Sequence, residues 1–135
     1  MQPSSALPRE ASFAAARKCV LVVEDELLIR LMLSDRLRDV GYRVIEACNS
    51  DEALVLMGTS VPDLIISDVR MPGSLDGLGL LAVVRETLPT LPVIITSGHL
   101  QATVATADGA TQFVAKPYSL ELVIKAVQNE LAKAL

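Results

Sequence analysis

Cys19-Val20-Leu21-Val22-Val23-Glu24-Asp25 and Leu64-Ile65-Ile66-Ser67-Asp68 decide the reading of this chain. Each is a short apolar run that closes on acid. Runs of this kind fit strands buried on both faces, as in a parallel sheet. Ligand sites in open parallel sheets lie at the carboxyl ends of the strands, where Glu24, Asp25 and Asp68 fall. Three acids gathered there repel one another unless a cation lies between them. Oxygen-only donors suit Mg²⁺ better than zinc or copper.

Outward from these runs, strands and helices alternate. Asp25 to Val40 reads as a helix, with Ile29, Leu33, Leu37 and Val40 on one face, and Gly41 supplies its stop. Tyr42 to Ala47 is a second strand. Asn49 then caps a short helix, with Glu52 placed as in a capping box. Val61-Pro62 ends that helix, and Asp63 to Ser67 is the third strand. Met71-Pro72-Gly73-Ser74 is a loop by composition. A third helix runs near Gly77 to Leu88, burying Leu81, Val84 and Leu88, and Val93 to Thr96 is the fourth strand. Residues 100–108, rich in Ala and Thr, predict a weak helix and a mobile face. Gln112 to Ala115 is the fifth strand, and Ser119 to Ala134 the last helix, with Leu120, Val123, Val127 and Leu131 on one face. The pattern is α/β: a (βα)₅ doubly wound parallel sheet with right-handed crossovers.

The chain has 135 residues, half of them apolar, which suits one domain with a core of its own. Only Phe13, Tyr42, Phe113 and Tyr118 are aromatic, so that core is aliphatic. Residues 1–17 read as a flexible tail and residues 18–135 as the domain. No apolar run approaches the roughly 18 residues that a membrane span needs, nor does the tail suit a signal peptide; a cytoplasmic location is the default expectation. Net charge is −4, with +2 over Met1 to Lys18 and −6 over the rest. No basic stripe speaks for direct nucleic-acid binding. Cys19 and Cys48 form neither a disulfide framework nor a metal motif, and read as small buried hydrophobes.

With these pieces in order, the chain resembles the receiver domain of two-component response regulators, over residues 18–135. The matching pieces are Val22-Val23-Glu24-Asp25-Glu26, the stretch Asp68 to Gly77 with Met71-Pro72 and Asp76-Gly77, Thr96-Ser97-Gly98, and Lys116-Pro117. Each motif alone is weak, but four at successive strand ends are specific. The resemblance implies a flavodoxin-like sheet of order 2-1-3-4-5. It makes Asp68 the phosphoacceptor for a sensor histidine kinase or phosphotransfer protein, although alone Asp68 also reads as a helix cap or a solvated loop acid. The domain would catalyse only its own phosphorylation and dephosphorylation. Asp25 would bind Mg²⁺ (or Mn²⁺) with Asp68, Glu24 would bind it directly or through water, and the main-chain carbonyl of Arg70 would add a ligand. Lys116 and Thr96 would meet the phosphoryl oxygens. Alone, Lys116 also reads as a surface lysine before a turn proline, against which stands the apolar run Phe113-Val114-Ala115 that aims it at the strand end.

Further expectations rest on the same resemblance. Lys116–Pro117 should be cis. Phe113 is either an aromatic switch coupled to Thr96 or a plain core residue. Arg70 and Gly98 occupy positions that set phosphate lifetime. Glu26 belongs in the first turn of helix one, where the macrodipole favours an acid. His99 reads as a phosphoryl relay or as an exposed loop residue. The stretch Asp68 to Asp76 carries one residue more than the commonest spacing, and the extra residue should bulge outward. Output would pass through helix four, strand five and helix five, with homodimerisation there an option.

Rival readings share parts of this pattern. The chain could be the C-terminal receiver of a hybrid kinase, or the receiver fragment of a DNA-binding regulator; Met1 and an end after helix five favour a stand-alone protein. A haloacid-dehalogenase-like phosphatase also uses an aspartyl nucleophile and Mg²⁺, but needs Asp-x-Asp after strand one, where this chain has Glu24-Asp25-Glu26. A nucleotide-binding protein would need a Gly-rich loop there.

Overall fold

Among the residues described, five strands alternate with five helices. The structure is a computed structural model that describes residues 17–99 and 102–133. In chain order the elements are β1 (Cys19–Val23), α1 (Leu27–Asp39), β2 (Arg43–Ala47), α2 (Ser50–Thr59), β3 (Leu64–Asp68), α3 (Gly77–Thr87), β4 (Val93–Ser97), α4 (Ala102–Ala107), β5 (Gln112–Ala115) and α5 (Leu120–Lys133). Every strand pairing is parallel, and the order is β2-β1-β3-β4-β5. This is the (βα)₅ layering that the alternation implies, in the flavodoxin-like order that the resemblance implies. The strand order reverses between β1 and β3, so the loops after those two strands part and leave a crevice at their carboxyl ends.

Successive strand residues point to opposite faces, and both faces are covered. On one side Leu21, Val23, Ile65 and Ile95 meet Ala53 of α2, Leu80, Leu81 and Val84 of α3 and Ala105 of α4. On the other, Val20, Val22, Ile66 and Ile94 meet Leu33 and Leu37 of α1 and Val123, Val127 and Leu131 of α5. Hence β1, β3 and β4 are buried throughout, whereas the edge strands β2 and β5 are only partly so.

Several boundaries differ from the sequence reading, each for a local reason. Helix α1 begins at Leu27 rather than Asp25, because the Glu26 N–H is turned onto the Glu24 carboxylate at 3.1 Å and Glu26 becomes the N-cap. Glu26 therefore precedes the first turn, and its side chain makes no cap hydrogen bond. Strand β3 starts at Leu64, since Asp63 is used as a clasp: its carboxylate accepts the Cys19 N–H at 2.7 Å. It runs on through Asp68, which pairs in register with Thr96. Gly41 does end α1 in the left-handed region, at φ +106. Asn49 caps α2 through the Glu52 N–H at 2.8 Å, while Glu52 reaches back to the Cys48 N–H at 2.7 Å. Cys19 is buried but Cys48 only half-buried. The weak helix spans Ala102–Ala107; residues 100 and 101, the tail to residue 16 and Ala134 lie outside the described residues. No helix among the described residues is long and apolar enough to cross a membrane.

Candidate functional site

Asp68 closes β3 at the crevice, buried to 8% exposure. Its Oδ1 accepts the Val69 N–H at 2.8 Å, and its Oδ2 accepts Lys116 Nζ at 3.1 Å. The same ammonium donates to Glu24 Oε1 at 2.8 Å. Glu24 follows β1 and is 3% exposed. Asp25, next along, is exposed. Glu24, Asp25 and Asp68 each offer a carboxylate oxygen, and those atoms lie within 4.8 Å of one another. Above them opens a cleft of about 290 Å³ lined by Asp25, Asp68, Arg70, Gly98, His99 and Lys116 among others.

The electrostatics follow from burial and sign. Burial pushes the Glu24 carboxyl above its usual range and the nearby Asp68 charge adds to this, while the Lys116 ammonium and the Glu26 N–H pull the other way. Burial also opposes the charge on Lys116, but hydrogen bonds and attraction from Glu24 and Asp68 outweigh it and hold the ammonium above its ordinary value. Two acids of the cluster thus share one protein cation, which offsets a single negative charge, and the third, Asp25, faces solvent. This donor set of hard oxygens, with a negative excess on the open side, fits a divalent cation such as Mg²⁺.

The scaffold under Asp68 is tight. Gly77 opens α3 directly beneath it and donates its N–H to the Val69 oxygen at 2.8 Å. A Cβ at Gly77 would collide with the main-chain oxygen of Asp68 and stand 2.8 Å from Val69 Cα, so only glycine fits this approach. Asp76 caps α3 by accepting the Gly79 N–H at 2.8 Å. The intervening loop is exposed at Pro72, Gly73 and Ser74, in keeping with an outward bulge, yet it does not swing free. Ser74 donates its hydroxyl to Asp51 Oδ1 at 2.5 Å and its N–H to Oδ2 at 3.3 Å, so the loop is fastened to the first turn of α2.

The remaining candidates distribute around this centre. Thr96, 2% exposed, sits beside Asp68 on β4 but does not line the cleft. Arg70 and Gly98 are exposed at its rim. His99 is exposed and lines the cleft as well, with its N–H on Ser97 Oγ at 3.1 Å. Phe113 is half-buried, pairs with Ile95 in register and packs against the core under α2, α3 and α4. Lys116–Pro117 is cis.

Two neighbours escape the sequence motifs. Tyr118 is half-buried beside the acids; burial raises the pKa of its hydroxyl, Lys116 opposes that, and Glu24 and Asp68 add to it. It lies in a turn outside any periodic run, so no pattern marks it. Arg30, on α1, donates Nη1 to the Glu24 main-chain oxygen at 2.8 Å; in the sequence it is one more polar residue on an amphipathic helix.

Comparison with known proteins extends this picture. The chain is 35% identical over 119 residues to the DNA-binding transcriptional regulator NtrC of Salmonella typhimurium, covering 86% of this chain and 25% of that protein. It is 35% identical over 111 residues to a putative response regulator NtrX-like protein of Rickettsia felis, covering 78% of this chain and 23% of that one. The chain thus spans about a quarter of the length of these curated relatives. Among solved structures, the receiver domain of NtrX from Brucella abortus superposes with a TM-score of 0.78 at 35% identity, over 84% of this chain and 98% of that one. The chemotaxis response regulator CheY4 of Vibrio cholerae gives 0.79 at 32% identity, over 85% and 99%. The family model for the response regulator receiver domain matches residues 20–128. A parallel sheet of this order, acids converging at its reversal point and a sequence match over most of its length agree, and the chain belongs to the response regulator receiver domain family.

Proposed function

We propose that Asp68 accepts a phosphoryl group from a phosphohistidine of a sensor kinase or phosphotransfer protein, and that the domain then switches its contacts with other proteins. The observation that carries this reading is the Asp68 carboxylate, closing a central strand at the base of a cleft, with Lys116 Nζ on one oxygen and the carboxylates of Glu24 and Asp25 around it. In the transfer, a bond forms between an Asp68 carboxylate oxygen and phosphorus while the phosphorus–nitrogen bond of the donor breaks. The electron pair of the broken bond stays on the imidazole. The protein has little covalent work beyond this and contributes position and charge.

Lys116 stands ready to follow a phosphoryl oxygen, being already 3.1 Å from Asp68 Oδ2. Thr96 would donate its hydroxyl to another, moving from the end of β4. Asp25, Asp68 and the main-chain carbonyl of Arg70 would hold Mg²⁺ (or Mn²⁺), with Glu24 binding it directly or through water. When bound, the ion supplies positive charge against the phosphoryl oxygens. Gly98 offers no side chain against an attacking water, whereas Arg70 at the opposite rim can cover part of the cleft; together they would tune phosphate lifetime. Phe113 would follow Thr96 as the aromatic part of the switch.

Two surfaces serve partners in this reading. Leu27, Leu28, Leu31 and Met32 of α1 are exposed at 58%, 72%, 40% and 51%. Beside them lies a groove of about 400 Å³ between Ile29, Met32, Pro117, Tyr118 and Leu120, with Lys116 at its wall. An apolar surface reaching to the active lysine suits the phosphodonor. The face of α4, β5 and α5 would carry the output, by a downstream protein or a second copy of the chain. A second reading is favoured by the relatives' length: this chain is the receiver part of a longer regulator, with the same site chemistry and a different output.

Mass spectrometry after incubation with acetyl phosphate tests the reading. The expected result is one added phosphoryl group that needs Mg²⁺ and disappears in Asp68→Asn. No addition in the wild type, or equal addition in Asp68→Asn, overturns it.

A further inference from the structure

We infer that Arg30 is a positioning residue for the cation-binding acids, acting through the peptide bond between Glu24 and Asp25; this rests on the Mg²⁺ reading above. Asp25 is the exposed member of the cluster, and among the described residues its carboxylate has no hydrogen-bond partner. Its place is therefore set by main chain. The peptide that precedes Asp25 carries the Glu24 oxygen, and that oxygen accepts Arg30 Nη1 at 2.8 Å. On the other side of Glu24, its N–H donates to the Ala47 oxygen of β2 at 3.0 Å. The turn into the site is thus held at both ends, once by the sheet and once by a side chain.

Arg30 is itself held. Its side chain is only 16% exposed, and Nε donates to Glu46 Oε1 at 3.2 Å. The second oxygen of Glu46 accepts Arg38 Nη2 at 3.1 Å, and the same Arg38 nitrogen reaches the Val44 oxygen at 3.3 Å. Glu46 lies on β2, in register with Val22 of β1. A chain of charged hydrogen bonds therefore runs from the edge strand, across α1, to the peptide that aims Asp25. The planar guanidinium makes this possible, because one fork serves a carboxylate and a carbonyl at once, which an ammonium cannot do with fixed geometry. Outer partners of this kind orient ligands and change metal affinity when removed.

The sign of the effect separates this role from simple charge. Arg30 is a cation near an acidic cluster, so charge alone predicts that its removal tightens Mg²⁺ binding. Positioning predicts the reverse. Calorimetric titration of the full chain with MgCl₂, without any phosphodonor, reads the difference. Arg30→Met is expected to bind Mg²⁺ about tenfold more weakly than wild type, and Arg30→Lys to recover part of that loss. Arg38→Met, at the far end of the chain, should shift affinity the same way by less and serves as the variant of choice if Arg30→Met does not fold. Thermal unfolding in EDTA checks that each variant keeps the fold. Unchanged or tighter binding by folded Arg30 variants overturns the inference alone. Absence of Mg²⁺ binding by the wild type overturns the cation reading and the inference with it.

Discussion

Ser34 stands in α1 with no exposed surface, and its hydroxyl finds no partner among the described residues. A buried hydroxyl without a hydrogen bond costs desolvation with no return. Ser34→Ala should therefore raise unfolding free energy by about 1 kcal/mol in urea denaturation; a loss of stability would show that the hydroxyl is satisfied. At the same scale, the acids and the lysine of the site are legible in the sequence because each ends an apolar run, and a strand end has a known direction. Arg30 and Tyr118 are not legible that way. Their positions depend on how a helix and a turn fold back over the sheet, which no local spacing encodes. The Glu24–Lys116 ion pair joins residues 92 apart in sequence and becomes visible only once β1 and β5 share a sheet.

At the scale of elements, the start of α3 is the tightest joint. Gly77→Ala must push the helix away from Asp68 and Val69, and overpacking of this kind costs about 2–3 kcal/mol. Thermal unfolding checks the stability, and slower labelling by acetyl phosphate should accompany it. The clasp of the β3–α3 loop on α2 gives a pH signature. Hydrogen bonds from the Ser74 hydroxyl and N–H hold the Asp51 carboxyl below its ordinary value. The clasp thus contributes stability above about pH 4, and this is lost as pH falls through the lowered value. In a carboxyl-detected NMR titration, Ser74→Ala should move Asp51 upward toward the ordinary range; an unmoved midpoint would deny the clasp. The extra residue of this loop is legible as a count, but its tether is not, since Asp51 belongs to another helix. Helix interiors such as Leu33 and Leu37 follow from periodicity, while the start of α1 does not, because a carboxylate two residues upstream captures the Glu26 N–H.

For the molecule as a whole, the apolar surface is uneven. Among the described residues Leu27, Leu28, Leu31 and Met32 cluster on α1, whereas α4 exposes Val104 at 44% and α5 exposes Leu122 at 55%. If α1 receives the phosphodonor, Leu28→Glu should slow transfer from a phosphorylated histidine kinase about tenfold, the cost of one misplaced contact of roughly 1.4 kcal/mol, and leave labelling by acetyl phosphate unchanged. Equal rates with both donors would move the docking site elsewhere. The sheet order was legible only through family resemblance; alternation alone gives the layers.

One geometric fact reaches further. Lys116 is rooted just past β5, yet its ammonium rests on residues at the ends of β3 and β1, so the side chain spans β4. Strand β5 is four residues long and has β4 as its single neighbour, whereas β3 is flanked on both sides. A tether drawn between an anchored post and a loosely seated one moves the second. A change in charge at Asp68 would thus be felt as a pull on a short edge strand.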